Sequence, residues 1–258
     1  MSELNPDKKI PLVEMFGPTI QGEGVLIGAK TTFLRFGLCD YKCKMCDSMH
    51  AVDPRRVRDN AEWLTPEEIA NRIIPFNKAS GTNWITFSGG NPCIHDLWTV
   101  VDKAHFEGLR VSVETQGTFA PGWLSDVDQL TISPKGPGMG AAFDMKVFQQ
   151  FMRSVMVHFD LGTKASIKVV IFSQADIEFL KEINYMAEHY GMKDRVYASV
   201  GNVTLPSDDE DYNLALHRQA LLNEMCLNLE DLLKEPSLGN VRFLPQLHVL
   251  LWGNRQGV

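Results

Sequence analysis

The sequence predicts an α/β fold, a partial, open and trimmed β/α barrel of about six parallel strands. Short runs rich in β-branched and aromatic residues alternate about six times with polar loops and amphipathic helical stretches, the pattern of a parallel sheet with crossover helices. Polar and glycine-rich tetrads follow the strands at their carboxyl ends, where parallel α/β sheets bind ligands. The connection between the strands at 110–114 and 129–133 is short and contains Pro121 and Gly122, so a full crossover helix does not fit there and the barrel is trimmed. The 258 residues show no repeat and no linker, and read as one domain over 1–258 with an N-terminal QGEG segment and a C-terminal strand and tail that closes the site.

Residues 10–16 form the first ordered piece and run into GPTIQGEG at 17–24. Glycines there let the backbone approach a ligand while Gln21 and Glu23 point at it, although the same residues also make a plain tight turn. Residues 31–36 are a strand, with Arg35 either a surface charge or a planar fork for a carboxylate. Directly after it stand Cys39, Cys43 and Cys46. Three thiolates within eight residues can wrap one metal centre, and soft ligands select zinc, Cu(I) or an iron–sulfur cluster. The remaining Cys93 and Cys226 are remote and read as packed thiols, which favours a four-iron cluster with one iron open to a ligand. A zinc knuckle, an electron-transfer cluster and metal-free thiols fit the same spacing.

Residues 49–60 are polar and read as a solvated loop. Thr65, Pro66 and Glu68 then open a helix with a capping box. A strand at 84–87 ends in SGGNP, with Ser88, Gly90 and Asn91, and a helix follows over 96–107. The strand at 110–114 ends in Glu114, Thr115 and Gln116, and that at 129–133 in Ser133, Pro134 and Lys135. Helices are expected at 143–158, with Val147, Phe151 and Val155 inward, and at 176–189 and 212–234. Strands are expected at 166–172 and 196–200, and at 241–252 with an interruption at Pro245 and with His248 near its end. The other histidines, His50 among them, show no ligand spacing.

Composition excludes several classes. A net charge of −7 lacks the basic stripe of a nucleic-acid binder, no run is long and apolar enough to span a membrane, and the polar start lacks the apolar core of a signal peptide. Five cysteines, an odd number with three in one loop, suit a reducing cytoplasm and a metal.

Taken together, GPTIQGEG, FLRFGLCDYKCKMCDS, ITFSGGNP, ETQGT, LTISPK, IKVVIF and LPQLHVLLWGNRQGV resemble the 7-carboxy-7-deazaguanine synthases, radical S-adenosylmethionine lyases of queuosine and 7-deazapurine biosynthesis. The resemblance implies that Cys39, Cys43 and Cys46 hold a [4Fe-4S] cluster whose open iron takes S-adenosylmethionine, the source of a 5′-deoxyadenosyl radical. It places Met45, Asp47, Gly90, Asn91, Ser133, Pro134 and Lys135 at that cofactor, and Ile20, Gln21, Gly22, Glu23, Arg35, Ser88, Glu114, Thr115, Gln116, His248 and Val258 at a pterin. Arg35 would take the pterin carboxylate, and Ser48 would hold Mg²⁺ where the family usually has threonine. Asn91 stands where many relatives carry glutamate. The implied reaction converts 6-carboxy-5,6,7,8-tetrahydropterin to 7-carboxy-7-deazaguanine by radical ring contraction with loss of ammonia, in a homodimer reduced by flavodoxin or a similar donor. No side chain reads as an acid or base for it. The alternatives are another radical enzyme such as a glycyl-radical activase, against which QGEG, Arg35 and LHVLLWG speak, and a noncatalytic iron–sulfur or zinc protein.

Overall fold

The computed structural model describes residues 8–158, 164–204 and 213–258. Among the described residues nine strands form one sheet: β1 (Ile10–Ile20), β2 (Lys30–Phe36), β3 (Glu62–Leu64), β4 (Trp84–Gly89), β5 (Arg110–Thr115), β6 (Gln129–Ile132), β7 (Ala165–Ile171), β8 (Val196–Val200) and β9 (Arg242–Leu244). Their order is β3-β1-β2-β4-β5-β6-β7-β8-β9. From β2 through β9 the pairings are parallel, while β1 runs antiparallel to both β2 and β3. The end strands β3 and β9 do not pair, so the barrel is open.

Helices α1 (Met49–Val52), α2 (Pro54–Asn60), α3 (Pro66–Ser80), α4 (Trp98–Phe106), α5 (Met145–Arg153), α6 (Gln174–His189), α7 (Leu214–Leu233) and α8 (Leu247–Trp252) complete the architecture. Side chains of a strand alternate between faces, and that alternation divides the molecule. Ile85, Phe87, Val111, Val113, Ile167 and Val169 face the core shared with the helices. Their neighbours carry polar groups: Thr31, Thr86 and Ser112 form a hydroxyl ladder with 2.8 Å steps across β2, β4 and β5. Further along the same faces come Arg35, Ser88, Glu114 and Lys168.

The trimmed crossover is present as expected, reduced to a short 3-10 turn at Gly122–Asp126 between β5 and β6. Four sequence expectations are corrected. Residues 49–60 are helical: the Asp53 carboxylate accepts from the backbone N–H groups of Arg55 and Arg56 at 2.8 and 3.3 Å, Pro54 starts α2, and Ala51, Val52 and Val57 are buried. Residues 241–252 are not one strand, because Pro245 ends β9 and the chain turns into α8, which carries His248. On α5 the inward face is Phe148, Phe151 and Met152, with Val155 in the π-helical turn beyond it, while Val147 is exposed. Cys226 is also exposed, not packed. Tyr212, expected to start the long helix, lies outside the described residues, and α7 opens at Leu214 under an Asn213 cap.

The capping box of α3 is complete: Thr65 Oγ1 accepts from Glu68 N at 3.2 Å and Glu68 Oε2 from Thr65 N at 2.8 Å. Thr65→Ala removes one half of it and is expected to lower stability by about 1 kcal/mol. Denaturant unfolding of both chains measures this, and an unchanged midpoint would exclude the cap as a contributor.

Candidate active site

The loop that carries the three cysteines is fixed by backbone contacts before any side chain acts. Beyond β2, Leu38 adopts a left-handed φ of 75°, a conformation non-glycine residues seldom take. Its N–H donates to Ala51 O at 2.8 Å, and its C=O accepts from Asn91 N at 2.9 Å. Gly90 N donates to Phe36 O at 2.9 Å, so the segment after β4 lies directly against the chain leaving β2. A β-carbon on Gly90 would collide with Leu38 O. Further on, Lys44 N donates to Met139 O at 2.9 Å and ties the loop to the turn after β6.

Cys39, Cys43 and Cys46 all line one cavity at the carboxyl edge of the sheet. Cys39 Sγ accepts from Tyr41 N at 3.4 Å and from Gln116 Nε2 at 3.5 Å. Burial pushes all three thiols above the usual range, Cys46 to about 11, and only a strongly cationic centre would draw them to thiolates. Among the described residues no three His, Cys, Asp or Glu side chains gather around a single ion. Three thiols that each ligate a different iron need only face one cavity, so the donor set fits a cluster better than a lone zinc. Lys135 lies beside the thiols, its Nζ donating to Ser133 Oγ at 3.3 Å.

At the other side of the cavity the QGEG segment meets the C-terminal helix. Leu247 N donates to Gly22 O at 2.9 Å, and His248 packs so closely on Gly22 that any side chain there would strike its ring. Gln21 Nε2 donates to Glu114 Oε1 at 2.9 Å, and Ser88 Oγ to Glu114 Oε2 at 2.8 Å. Glu23 Oε2 pairs with the Lys168 ammonium and Glu23 Oε1 accepts from Gln246 Nε2 at 2.8 Å. Burial, the largest single influence, would raise the Glu23 carboxyl, but the Lys168 and His248 charges and the hydrogen bonds from Lys168 and Gln246 together outweigh it and hold the carboxyl down at about 2. Burial works against the Lys168 ammonium too, yet Glu23 and Glu114 keep it above the usual lysine range.

Arg35 is held between these regions. Its Nε donates to Glu14 Oε2 at 2.5 Å, its Nη1 to Ser48 Oγ at 3.2 Å, and its guanidinium lies 5.5 Å from the Phe16 ring centroid. Ser48 Oγ in turn donates to Asp47 Oδ1 at 2.8 Å. His50 Nε2 lies 3.3 Å from the same Glu14 oxygen. Burial would raise the Glu14 carboxyl, but His50 and Arg35 hold it below the usual range.

Of the sequence-derived candidates, all but Asn91 and Pro134 line this cavity. Pro134 is buried behind it. Asn91 is fully buried: its Nδ2 donates to Asp40 Oδ1 at 2.8 Å and Thr118 Oγ1 at 3.2 Å, while its Oδ1 accepts from Cys93 N at 3.2 Å and Thr115 Oγ1 at 3.0 Å. Lys168, Gln246, His50 and the tail residues Gly253 to Gly257 line the cavity without having been given a site role from sequence, and Glu14 stands behind it. Lys168 left one signal, a lysine inside a strand whose every residue is buried. Glu14 left another, its position opposite Arg35 once β1 and β2 pair.

Two outcomes are expected from this geometry. Gly90→Ala should fold yet lose most of its capacity to take up iron and sulfide in anaerobic reconstitution, because Leu38 and with it Cys39 must move; native iron content per chain would refute the contact. The Glu23 carboxyl is depressed from an ordinary 4.5 to about 2, so its stabilisation is complete above about pH 4.5 and is lost as the pH falls toward 2. Between about pH 5 and about pH 3 the native chain should therefore lose more stability than Glu23→Gln, as read by denaturant titration. Equal losses would remove this pair from the acid response.

Comparison with known proteins agrees with the geometry. The model of the radical SAM superfamily matches residues 34–135, the span from β2 to Lys135. The 7-carboxy-7-deazaguanine synthase of Bacillus subtilis (strain 168) is 37% identical over 256 residues, covering 97% of this chain and 99% of that protein. The enzyme of the same name from Bacillus cereus is 33% identical over 251 residues, covering 97% and 99%. The crystal structure of QueE from Escherichia coli superposes with a TM-score of 0.66 at 23% identity, covering 93% of this chain and 95% of that one, and shows the shared fold. On sequence and architecture together, the chain belongs to the 7-carboxy-7-deazaguanine synthase family of radical S-adenosylmethionine enzymes.

Proposed function

We propose that this chain acts as a carbon–nitrogen lyase that converts 6-carboxy-5,6,7,8-tetrahydropterin to 7-carboxy-7-deazaguanine with loss of ammonia, in the route to queuosine and related 7-deazapurines. One observation carries the reading: the three thiols and a chamber of carboxylate, amide and guanidinium groups open into a single cavity. When bound, the [4Fe-4S] cluster and S-adenosylmethionine supply the one-electron chemistry that begins the reaction. Everything else falls to the protein.

Cys39, Cys43 and Cys46 hold the cluster, and Gly90 with Met45, Asp47, Ser133 and Lys135 borders the space beside it for S-adenosylmethionine. Asn91 and Pro134 serve that cofactor from behind, through the loops they brace. Ser48 and Asp47, already hydrogen-bonded to each other, present the oxygens for Mg²⁺. Arg35 receives the substrate carboxylate: Glu14 takes its Nε edge and fixes the guanidinium, leaving further N–H groups toward the cavity. Ile20, Gln21, Gly22, Ser88, Glu114, Thr115 and Gln116 surround the ring, and His248 with Val258 closes the chamber against water.

Residues 1–258 act as one domain. Cys39 and Cys46 are only half-buried, which leaves the cluster within reach of a reduced flavodoxin. Leu216, Leu222, Leu227 and Leu233 on α7 are exposed and offer a second copy an apolar face for a homodimer. Among the described residues no helix is long and apolar enough to cross a membrane, which suits a cytoplasmic enzyme.

The test is anaerobic reconstitution with iron and sulfide, then S-adenosylmethionine, a reductant and 6-carboxytetrahydropterin, with product read by mass spectrometry. 7-Carboxy-7-deazaguanine is expected from the native chain and none from Cys43→Ala. If 5′-deoxyadenosine forms without that product, the substrate assignment fails; stoichiometric zinc without iron would leave the reading with no cluster to rest on.

A further inference from the structure

Gln116 stands one residue beyond β5, 4% exposed, with its amide against the cysteine loop. Its backbone has little freedom. Thr115 O accepts from Ser133 N at 2.7 Å, and Gly117 turns the chain at a left-handed φ of 84° with the Phe148 ring packed where a side chain would start. From this fixed base Gln116 Nε2 donates to Asp40 Oδ1 at 2.5 Å and to Cys39 Sγ at 3.5 Å. An amide nitrogen carries two hydrogens, and these two acceptors take one each.

Asp40 decides which end of the amide faces the sulfur. Its carboxylate has no hydrogen to offer, so an amide turned the other way would set Gln116 Oε1 against a negative charge. Asn91 Nδ2 donates to the same carboxylate oxygen at 2.8 Å, so Asp40 cannot swing aside without breaking the buried contacts of Asn91. Among the described residues no side chain donates to Cys43 Sγ or Cys46 Sγ. Cys39 thus differs from the other two thiols in taking an amide N–H from a side chain as well as the backbone N–H of Tyr41. Hydrogen bonds to the sulfurs of an iron–sulfur cluster raise its reduction potential, because they offset the negative charge that reduction adds.

Resting on the cluster proposed above, we infer that Gln116 tunes that centre: its N–H donates to the Cys39 thiolate, in an orientation set by Asp40, and makes the cluster easier to reduce. The residue acts through Cys39 and takes no part in making or breaking bonds. Its Oε1, engaged by no other group among the described residues, stays free for the contents of the cavity.

The experiment uses the reconstituted full chain without S-adenosylmethionine or pterin, so that contacts of Gln116 with either do not enter. An EPR-monitored redox titration reads the cluster midpoint in the native chain, in Gln116→Met and in Gln116→Lys. Methionine keeps the length and loses the donor. Asp40 is exposed and keeps Asn91, so this change leaves no buried carboxylate unpaired. At a fixed potential the ratio of reduced to oxidised cluster should fall on the order of 10-fold in Gln116→Met, equal to a midpoint about 59 mV more negative for one electron. Gln116→Lys restores an N–H donor and should return the midpoint to the native value or above it. Pulsed EPR of the native chain carrying ¹⁵N in its glutamine side chains needs no variant, and should show a weak nitrogen coupling to the reduced cluster. An unchanged midpoint in Gln116→Met, a Gln116→Lys midpoint as low as that of Gln116→Met, or no nitrogen coupling in the native chain would each overturn the inference and leave the proposed function standing. A native chain that takes up no iron would overturn both.

Discussion

The side chain of Asn91 is the junction on which the cysteine loop depends. Buried completely, it spends both amide hydrogens and its oxygen on four partners: Asp40 beside Cys39, Thr118 beyond β5, Thr115 at the end of β5, and the backbone of Cys93. Three strand ends are thereby held in one register. Asp40 also accepts from Gln116 Nε2 at 2.5 Å, so its carboxylate sits between two amide donors. A glutamate at position 91 could not donate to Asp40 and would oppose it with a like charge in a low-dielectric site. The amide at 91 and the carboxylate at 40 thus form a matched pair, which gives an amide in place of a glutamate at position 91 a structural reason.

Glu23 and Lys168 show the opposite economy, charge retained in the interior. Desolvating two ions is costly, and their attraction compensates only when the geometry is good and the remaining lone pairs are satisfied. Here Gln246 satisfies one carboxylate oxygen and Lys168 the other, while the ammonium keeps spare donors. Removing one partner would leave an uncompensated buried charge, on the order of 3–5 kcal/mol. A pair held at that cost for stability alone would be replaceable by apolar residues. Its place on the cavity wall is what gives it a use.

Much of this was legible in the sequence because strands and ligand loops leave strong local marks. The alternation in TTFLRF assigns Leu34 and Phe36 to the core and Arg35 to the cavity side, and the polar tetrads after β4, β5 and β6 lie where the rule for parallel sheets puts them. The failures have physical causes as well. Residues 49–60 look like solvated loop because their three arginines face water, and the short buried set Ala51, Val52 and Val57 is too sparse to show a period. Residues 241–252 are mostly apolar, and their few polar residues, Arg242, Gln246 and His248, set no clear helical or strand period. Asn91 was expected to face the cofactor because the motif implied it, and only the position of Asp40 reveals that its amide is already committed.

The cavity joins parts of the chain that are far apart in sequence. Gln246 reaches Glu23 across 223 residues, His248 seats on Gly22, and Gln256 Nε2 lies 3.3 Å from His50 Nδ1. The cysteine loop, by contrast, is held by neighbours within β2, β4 and β5 and by the turn after β6. The cysteine loop and the QGEG wall of the cavity therefore rest on different contacts, which close loops of different length. The first half of the barrel can form its loop from comparatively local pairings, but the chamber beside it exists only once the C-terminal segment has docked on the QGEG turn. Such an order places Gln246 and His248, polar residues of the cavity wall, on the last contacts to close.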